Sequence, residues 1–102
     1  MINCVIIEDD ERSRNRLLKL LQDHFPQIDG LGQAHNIELG RSMILEQQPD
    51  LLLLDINLPD GTAFELLQSL NYTAFKVIFI TAHSHHAMEA IKLGALDFVL
   101  KP

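Results

Sequence analysis

The sequence predicts an α/β fold built on a five-stranded parallel sheet, and two observations carry that prediction. Five short apolar runs recur along the chain, at Cys4 to Ile7, Gly30 to Ala34, Leu51 to Leu54, Val77 to Ile80 and Phe98 to Leu100. The stretches between them carry apolar residues at helical spacing, so strand and helix alternate as crossover units require. The first, third and fourth runs are continuous rather than alternating, which suits parallel strands covered on both faces. The second run contains Gly30 and Gly32, and glycine loosens a strand.

The helices follow in order. Ser13 to His24 places Leu17, Leu18, Leu20 and Leu21 on one side, with Arg12, Arg14, Arg16 and Lys19 elsewhere. Asn36 to Gln47 carries Ile37, Met43 and Ile44, with Asn36 as the cap. Phe64, Leu67 and Leu70 mark a third helix after the turn Pro59-Asp60-Gly61. Ala87, Ala90 and Ile91 mark a fourth, from about Ser84, closed by Gly94. Internal repeats, low-complexity segments and a linker are all absent from the sequence, so 102 residues read as one domain.

Composition narrows the function. Eight Lys and Arg stand against fourteen Asp and Glu, a formal net charge of -6. That balance argues against direct nucleic-acid binding, which needs clustered cations on phosphates, and against docking on an anionic membrane. The single cysteine, Cys4, allows no internal disulfide, and its apolar neighbours make it a small core group. The start Met-Ile-Asn-Cys-Val-Ile-Ile runs into acids with no basic leader, and no apolar stretch is long enough to span a bilayer; the expected location is cytoplasmic.

In an open parallel α/β sheet, ligands bind at the carboxyl ends of the strands. Glu8, Asp9, Asp10 and Glu11 follow the first run; Asp55 and then Asn57 follow the third; Thr81 and Ala82 follow the fourth; Lys101 and Pro102 follow the fifth. If the first and third strands are neighbours, Glu8, Asp9 and Asp55 converge. Three close carboxylates repel one another, and a bound cation removes that repulsion. Hard oxygen donors without Cys or His point to magnesium, which keeps waters and takes phosphate oxygens. A carboxylate can serve as nucleophile and form an acyl phosphate. Phosphoryl transfer then needs charge stabilisation, which the metal and the Lys101 ammonium can supply, while the Thr81 hydroxyl donates to a phosphate oxygen and Ala82 leaves room beside it.

The segments Val5-Ile6-Ile7-Glu8-Asp9-Asp10-Glu11, Leu53-Leu54-Asp55-Ile56-Asn57-Leu58-Pro59-Asp60-Gly61, Ile80-Thr81-Ala82 and Phe98-Val99-Leu100-Lys101-Pro102 together resemble the receiver domain of two-component response regulators. The resemblance covers essentially the whole chain, in order. It implies a flavodoxin-like, doubly wound sheet of order 2-1-3-4-5. It also implies that Asp55 is the phosphorylated aspartate, that Asp9 and Asp55 bind Mg2+ directly, that Glu8 acts mainly through water, and that Asn57 ligates through its backbone carbonyl. Lys101 then pairs with Asp55 and afterwards with the phosphate, Thr81 moves toward the phosphate, and Phe98 occupies the place of a rotating aromatic residue. His83 and Asn57 fall where family members tune access of hydrolytic water. The Lys101-Pro102 bond is often cis in the family, as only proline readily allows.

The implied partner is a histidine kinase or phosphotransfer protein that offers a phosphohistidine. The face built from the fourth helix and fifth strand would then meet an output domain, another partner or a second copy. The receiver catalyses its own transfer and hydrolysis without turning over an outside substrate. The short Pro59-Asp60-Gly61 turn, with Ala90, Gly94-Ala95 and Asp97-Phe98, looks like the subfamily whose output is a LytTR-type DNA-binding domain. A complete receiver has a fifth helix after the lysine-proline, whereas this sequence stops at Pro102. The expectation is therefore a receiver over residues 1–102, with its output domain elsewhere, apolar surface exposed beside the first and fifth strands, and self-association or reduced stability.

Plainer readings stand beside these. Asp10 and Glu11 suit the positive N-terminus of the first helix. Asp60-Gly61 reads as turn chemistry and Asp50 as a solvated strand entrance. His83, His85 and His86 read as exposed side chains more readily than as a transition-metal site. Phe98 can simply pack. Two other functions compete with the switch. A magnesium-dependent phosphohydrolase with an aspartate nucleophile would want an acid where Asn57 stands. A pseudo-receiver that serves only as an interaction module would want one of the key acids, the threonine or the lysine lost.

Overall fold

The computed structural model describes residues 2–70, 75–81 and 97–100, with residues 29, 30, 81 and 97–100 described by their backbone alone. The helix expected from Ser84 to Gly94 and the Lys101-Pro102 bond lie outside the described residues.

The elements run β1 (Ile2–Ile7), α1 (Glu11–His24), β2 (Ile28–Ala34), α2 (Ile37–Gln47), β3 (Leu51–Asp55), β4 (Asn57–Leu58), β5 (Gly61–Thr62), α3 (Ala63–Gln68), β6 (Lys76–Thr81) and β7 (Asp97–Leu100). Five of the strands form one parallel sheet in the order β2-β1-β3-β6-β7. That is the expected 2-1-3-4-5 order, with the two-residue strands β4 and β5 inserted as a separate antiparallel pair.

Helix starts follow from capping chemistry. Asp10 caps α1, its carboxylate accepting from the Arg12 N–H at 3.1 Å and from the Ser13 hydroxyl at 3.1 Å. The helix therefore begins at Glu11, two residues before the apolar periodicity becomes visible at Ser13. Asn36 caps α2 as expected, accepting from the Leu39 N–H at 2.8 Å. Thr62 caps α3, its Oγ1 accepting from the Glu65 N–H at 3.2 Å and its hydroxyl donating to Glu65 Oε1 at 3.4 Å. Helix α3 ends at Gln68, so Leu70 is buried just beyond it rather than within it.

The two faces of the sheet separate by the strand period of two. Val5 and Ile7 of β1, Leu52 and Leu54 of β3, and Phe79 of β6 pack with Ile44 of α2 and with Ala63 and Leu66 of α3. Cys4 and Ile6 of β1, Leu53 of β3 and Ile80 of β6 pack with Leu21 of α1. Helices thus cover both faces, which explains why the strand sequences are continuously apolar. Each fully buried Ile or Leu contributes about 1.5–3 kcal/mol. On the α1 side an apolar groove of about 290 Å³ remains, lined in part by Leu17, Leu20, Phe25, Leu53 and Ile78.

Two close contacts fix the layers. A Cβ on Gly40 would lie 2.4 Å from Ile7 Cδ1, so α2 lies so close to β1 that any side chain at position 40 forces Ile7 to shift. At the opposite end of the sheet from the strand carboxyl termini, Asp50 joins three strands. Its side chain accepts from the Asn3 N–H at 2.9 Å, its N–H donates to Asn3 O at 2.9 Å, and its carbonyl accepts from the Lys76 N–H at 2.9 Å. Asp50 is exposed as expected, yet it organises the strand entrance as well as solvating it.

Candidate functional site

Strand register brings the acids together. Ile7 of β1 pairs with Leu54 of β3, so the next residues, Glu8 and Asp55, stand side by side at the carboxyl ends of the two strands. Asp55 pairs with Ile80 of β6, which sets Thr81 one step further along the neighbouring strand. Carboxylate oxygens of Glu8, Asp9 and Asp55 all lie within 4.8 Å of one another. Glu8 is 1% and Asp55 7% exposed, whereas Asp9 is open to solvent.

The backbone around the acids is held from two sides. The Glu8 N–H donates to Ala34 O at 3.0 Å. The Arg14 guanidinium, one turn into α1, donates through Nη1 to Glu8 O at 2.9 Å and through Nε to Gln33 Oε1 at 3.0 Å. It ties the β1–α1 loop to the end of β2. After Asp55 the chain folds back on itself. The Ala63 N–H donates to Ile56 O at 2.8 Å, and Asn57 and Leu58 pair with Thr62 and Gly61. The tip of this loop reaches α2, where Asp60 Oδ1 accepts from the Ile37 N–H at 2.8 Å and Oδ2 from the Glu38 N–H at 3.1 Å. The Ile37 N–H is the foremost cause that holds the Asp60 carboxyl below the usual carboxylate range, with the Glu38 N–H adding to it.

The donor set fits a hard divalent cation. Three carboxylates crowd one end of the sheet, two of them buried, and neither Cys nor His stands among them. Cys4 lies inside the sheet, where burial pushes its thiol up to about 11. It behaves as an apolar group there.

Of the residues singled out from sequence, the structure brings Glu8, Asp9 and Asp55 together and sets Asn57, exposed, at the start of β4. Thr81 ends β6 opposite Leu100, and Phe98 sits in β7 opposite Phe79, both described by backbone alone. Ala82, His83, His85, His86 and Lys101 lie outside the described residues. Sequence reasoning left Arg14 among the polar residues of α1 and Asp60 as turn chemistry. The signal for Arg14 was its place six residues after Glu8. Nothing local marks Asp60, because its partners are 22 and 23 residues away.

Similarity to known proteins agrees with this geometry. The model of the response regulator receiver domain matches residues 4–102. An uncharacterized response regulatory protein of Vibrio parahaemolyticus is 38% identical over 103 residues, covering all of this chain and 42% of that protein. The sensory transduction protein LytT of Enterococcus faecalis is 32% identical over 103 residues, covering 99% of this chain and 42% of that protein. The chain thus spans about two fifths of the length of these relatives. Among solved structures, the N-terminal domain of an uncharacterized protein of Wolinella succinogenes superposes with a TM-score of 0.88 at 29% identity, covering all of this chain and 83% of that one. The LytT match accords with the LytTR-like look of the Pro59-Asp60-Gly61 turn. With the sheet order, the acids and the matched span in agreement, this chain belongs to the response regulator receiver domain family.

Proposed function

We propose that this receiver domain is a phosphorylation switch in which Asp55 accepts a phosphoryl group from the phosphohistidine of a sensor kinase or phosphotransfer protein. The observation that carries the reading is the convergence of Glu8, Asp9 and Asp55 within 4.8 Å at the carboxyl ends of β1 and β3. A carboxylate oxygen of Asp55 attacks the phosphorus; the new O–P bond forms as the P–N bond breaks. The bonding pair leaves with the donor imidazole, which takes up a proton. A magnesium ion held by Asp9, Asp55 and the Asn57 carbonyl, with Glu8 acting through water, supplies positive charge against the phosphoryl oxygens when bound.

The remaining roles belong to this chain's own groups. The Lys101 ammonium pairs with Asp55 and then with the phosphate. The Thr81 hydroxyl donates to a phosphate oxygen, with Ala82 leaving space beside it. His83 and Asn57 set how readily water reaches the acyl phosphate. Phe98 reports the state of the site to the face formed by β7 and the helix that the sequence leads one to expect from about Ser84. That face changes its affinity for an output domain, which in this reading controls transcription. No helix among the described residues is long and apolar enough to cross a membrane.

Incubation with a small phosphodonor and magnesium, followed by intact-mass measurement, tests the reading. The wild-type chain gains one phosphoryl group and Asp55→Asn gains none. Repeated turnover of a phosphomonoester would favour a phosphohydrolase instead, and a wild type that never gains mass would favour a pure interaction module.

A further inference from the structure

The loop that follows Asp55 has a second anchor, far from the acids. Among the N–H groups that open α2, those of Ile37 and Glu38 donate to the two oxygens of Asp60, and that of Leu39 donates to the helix's own cap, Asn36. Two of these three donors are therefore satisfied by a residue from a different part of the chain. Asp60 sits at the tip of the loop whose first strand residue is Asn57. Between them the loop is stiff. Asn57 and Leu58 pair with Thr62 and Gly61, Leu58 is buried, and the base is closed by the bond from Ala63 to Ile56 O.

Gly61 completes the seat. Its φ of 149° is a conformation that L side chains rarely adopt, and a Cβ there would lie 2.9 Å from Ile37 Cδ1. The loop tip thus rests directly on the first residue of α2, and the carboxylate of Asp60 clamps it there. Helix α2 is in turn fixed on β1 by the close approach of Gly40 to Ile7. A continuous path runs from the strand that delivers Glu8, through α2, to the loop that delivers Asn57.

We propose that Asp60 is a positioning residue for the metal site: by capping α2 with both oxygens it holds the 56–62 loop so that the Asn57 carbonyl faces the Glu8–Asp9–Asp55 cluster. This rests on the reading of that cluster and the Asn57 carbonyl as the magnesium site. Loss of the clamp leaves every acidic ligand in place but lets the loop tip leave α2. Affinity for the metal falls because ordering the loop then accompanies binding.

The experiment is a magnesium chloride titration of the whole chain, followed by calorimetry and by backbone amide shifts, with urea unfolding in parallel. Asp60→Ala removes both bonds to α2. Asn36→Ala removes the helix's own cap without touching the 56–62 loop, and so reproduces the stability loss alone. Asp60→Ala weakens magnesium binding by about five- to tenfold, the equivalent of about one lost capping interaction. Asn36→Ala lowers the urea midpoint comparably but leaves magnesium affinity unchanged, and Asp60→Asn, which keeps one acceptor, falls between. Equal magnesium affinity in Asp60→Ala and wild type overturns the positioning role while leaving the site itself intact. An Asn36→Ala loss as large as that of Asp60→Ala also overturns it, because general weakening of α2 would then be the cause. A wild type that does not bind magnesium at all removes the metal reading, and this inference falls with it.

Discussion

Replacing Asp9 with asparagine makes the metal-free protein more stable and the metal-loaded protein less functional. Oxygens of Asp9 lie within 4.8 Å of those of Glu8 and Asp55. At that separation each like-charge pair costs about 1 kcal/mol in a water-like medium and about 3 kcal/mol at an effective dielectric constant near 20. Asp9 is exposed while its two neighbours are buried, so the lower figure governs its share. Removing its charge relieves about 1–2 kcal/mol in total at low ionic strength. With a urea slope of about 1 kcal/mol per molar, the midpoint in chelator rises by about 1–2 M. Magnesium at ten times its dissociation constant stabilises the wild type by about 1.4 kcal/mol, whereas the variant responds weakly. The assay is urea unfolding of both proteins, in chelator and in magnesium. A variant midpoint in chelator at or below wild type would refute the repulsion argument. An undiminished magnesium response in the variant would refute Asp9 as a ligand.

Other outcomes follow from single contacts. Gly40→Ala gains about 1 kcal/mol of helix propensity but loses about 1–3 to overpacking against Ile7, for a net loss of about 1 kcal/mol in urea unfolding. In an Ile7→Val background, which lacks Cδ1, the same substitution becomes neutral or stabilising; a loss of equal size there would contradict the contact. The Asp60 carboxyl is held below its ordinary range in the folded chain, so its stabilisation is present above the unfolded value near 4 and is lost as pH falls through the folded value. The stability gap between wild type and Asp60→Asn, read from urea midpoints, therefore closes below about pH 4; a constant gap down to pH 2 would count against it. Cys4, with its thiol pushed up to about 11 by burial, takes an alkylating reagent only once the chain is unfolded, and rapid labelling of the native protein would contradict its place in the core.

Much of the fold was legible because burial on both faces writes itself into sequence as unbroken apolar runs. Val5-Ile6-Ile7 and Leu51 to Leu54 carry that signal, and they flank the site. The acids were legible for a related reason: a charged group directly after such a run has to leave the sheet at its carboxyl end. What sequence hid was non-local. The β4–β5 pair is two residues per strand, too short for any periodicity. The start of α1 was set by Asp10, a cap that precedes the apolar pattern it serves. Asp60 owes its role to the N-terminus of α2 and half of Arg14's anchoring comes from Gln33, partners contributed by other elements; only the six-residue step from Glu8 to Arg14 is local. Glycine weakened the signal of one strand that was nonetheless expected. Gly30 and Gly32 read as loosening the second strand, yet β2 runs seven residues from Ile28 to Ala34, and a Cβ at Gly32 would lie 2.6 Å from Met43 Sδ. The small residue there makes room for a helix.

The three bonds of Asp50 have a mechanical meaning. They clasp the entrances of β1, β3 and β6 into one rigid rim, at the far end of the strands from Asp55. A substitution at Asp55, at the far end of the strands, therefore leaves amide exchange at Asn3 and Lys76 unchanged, because both amides are held by Asp50.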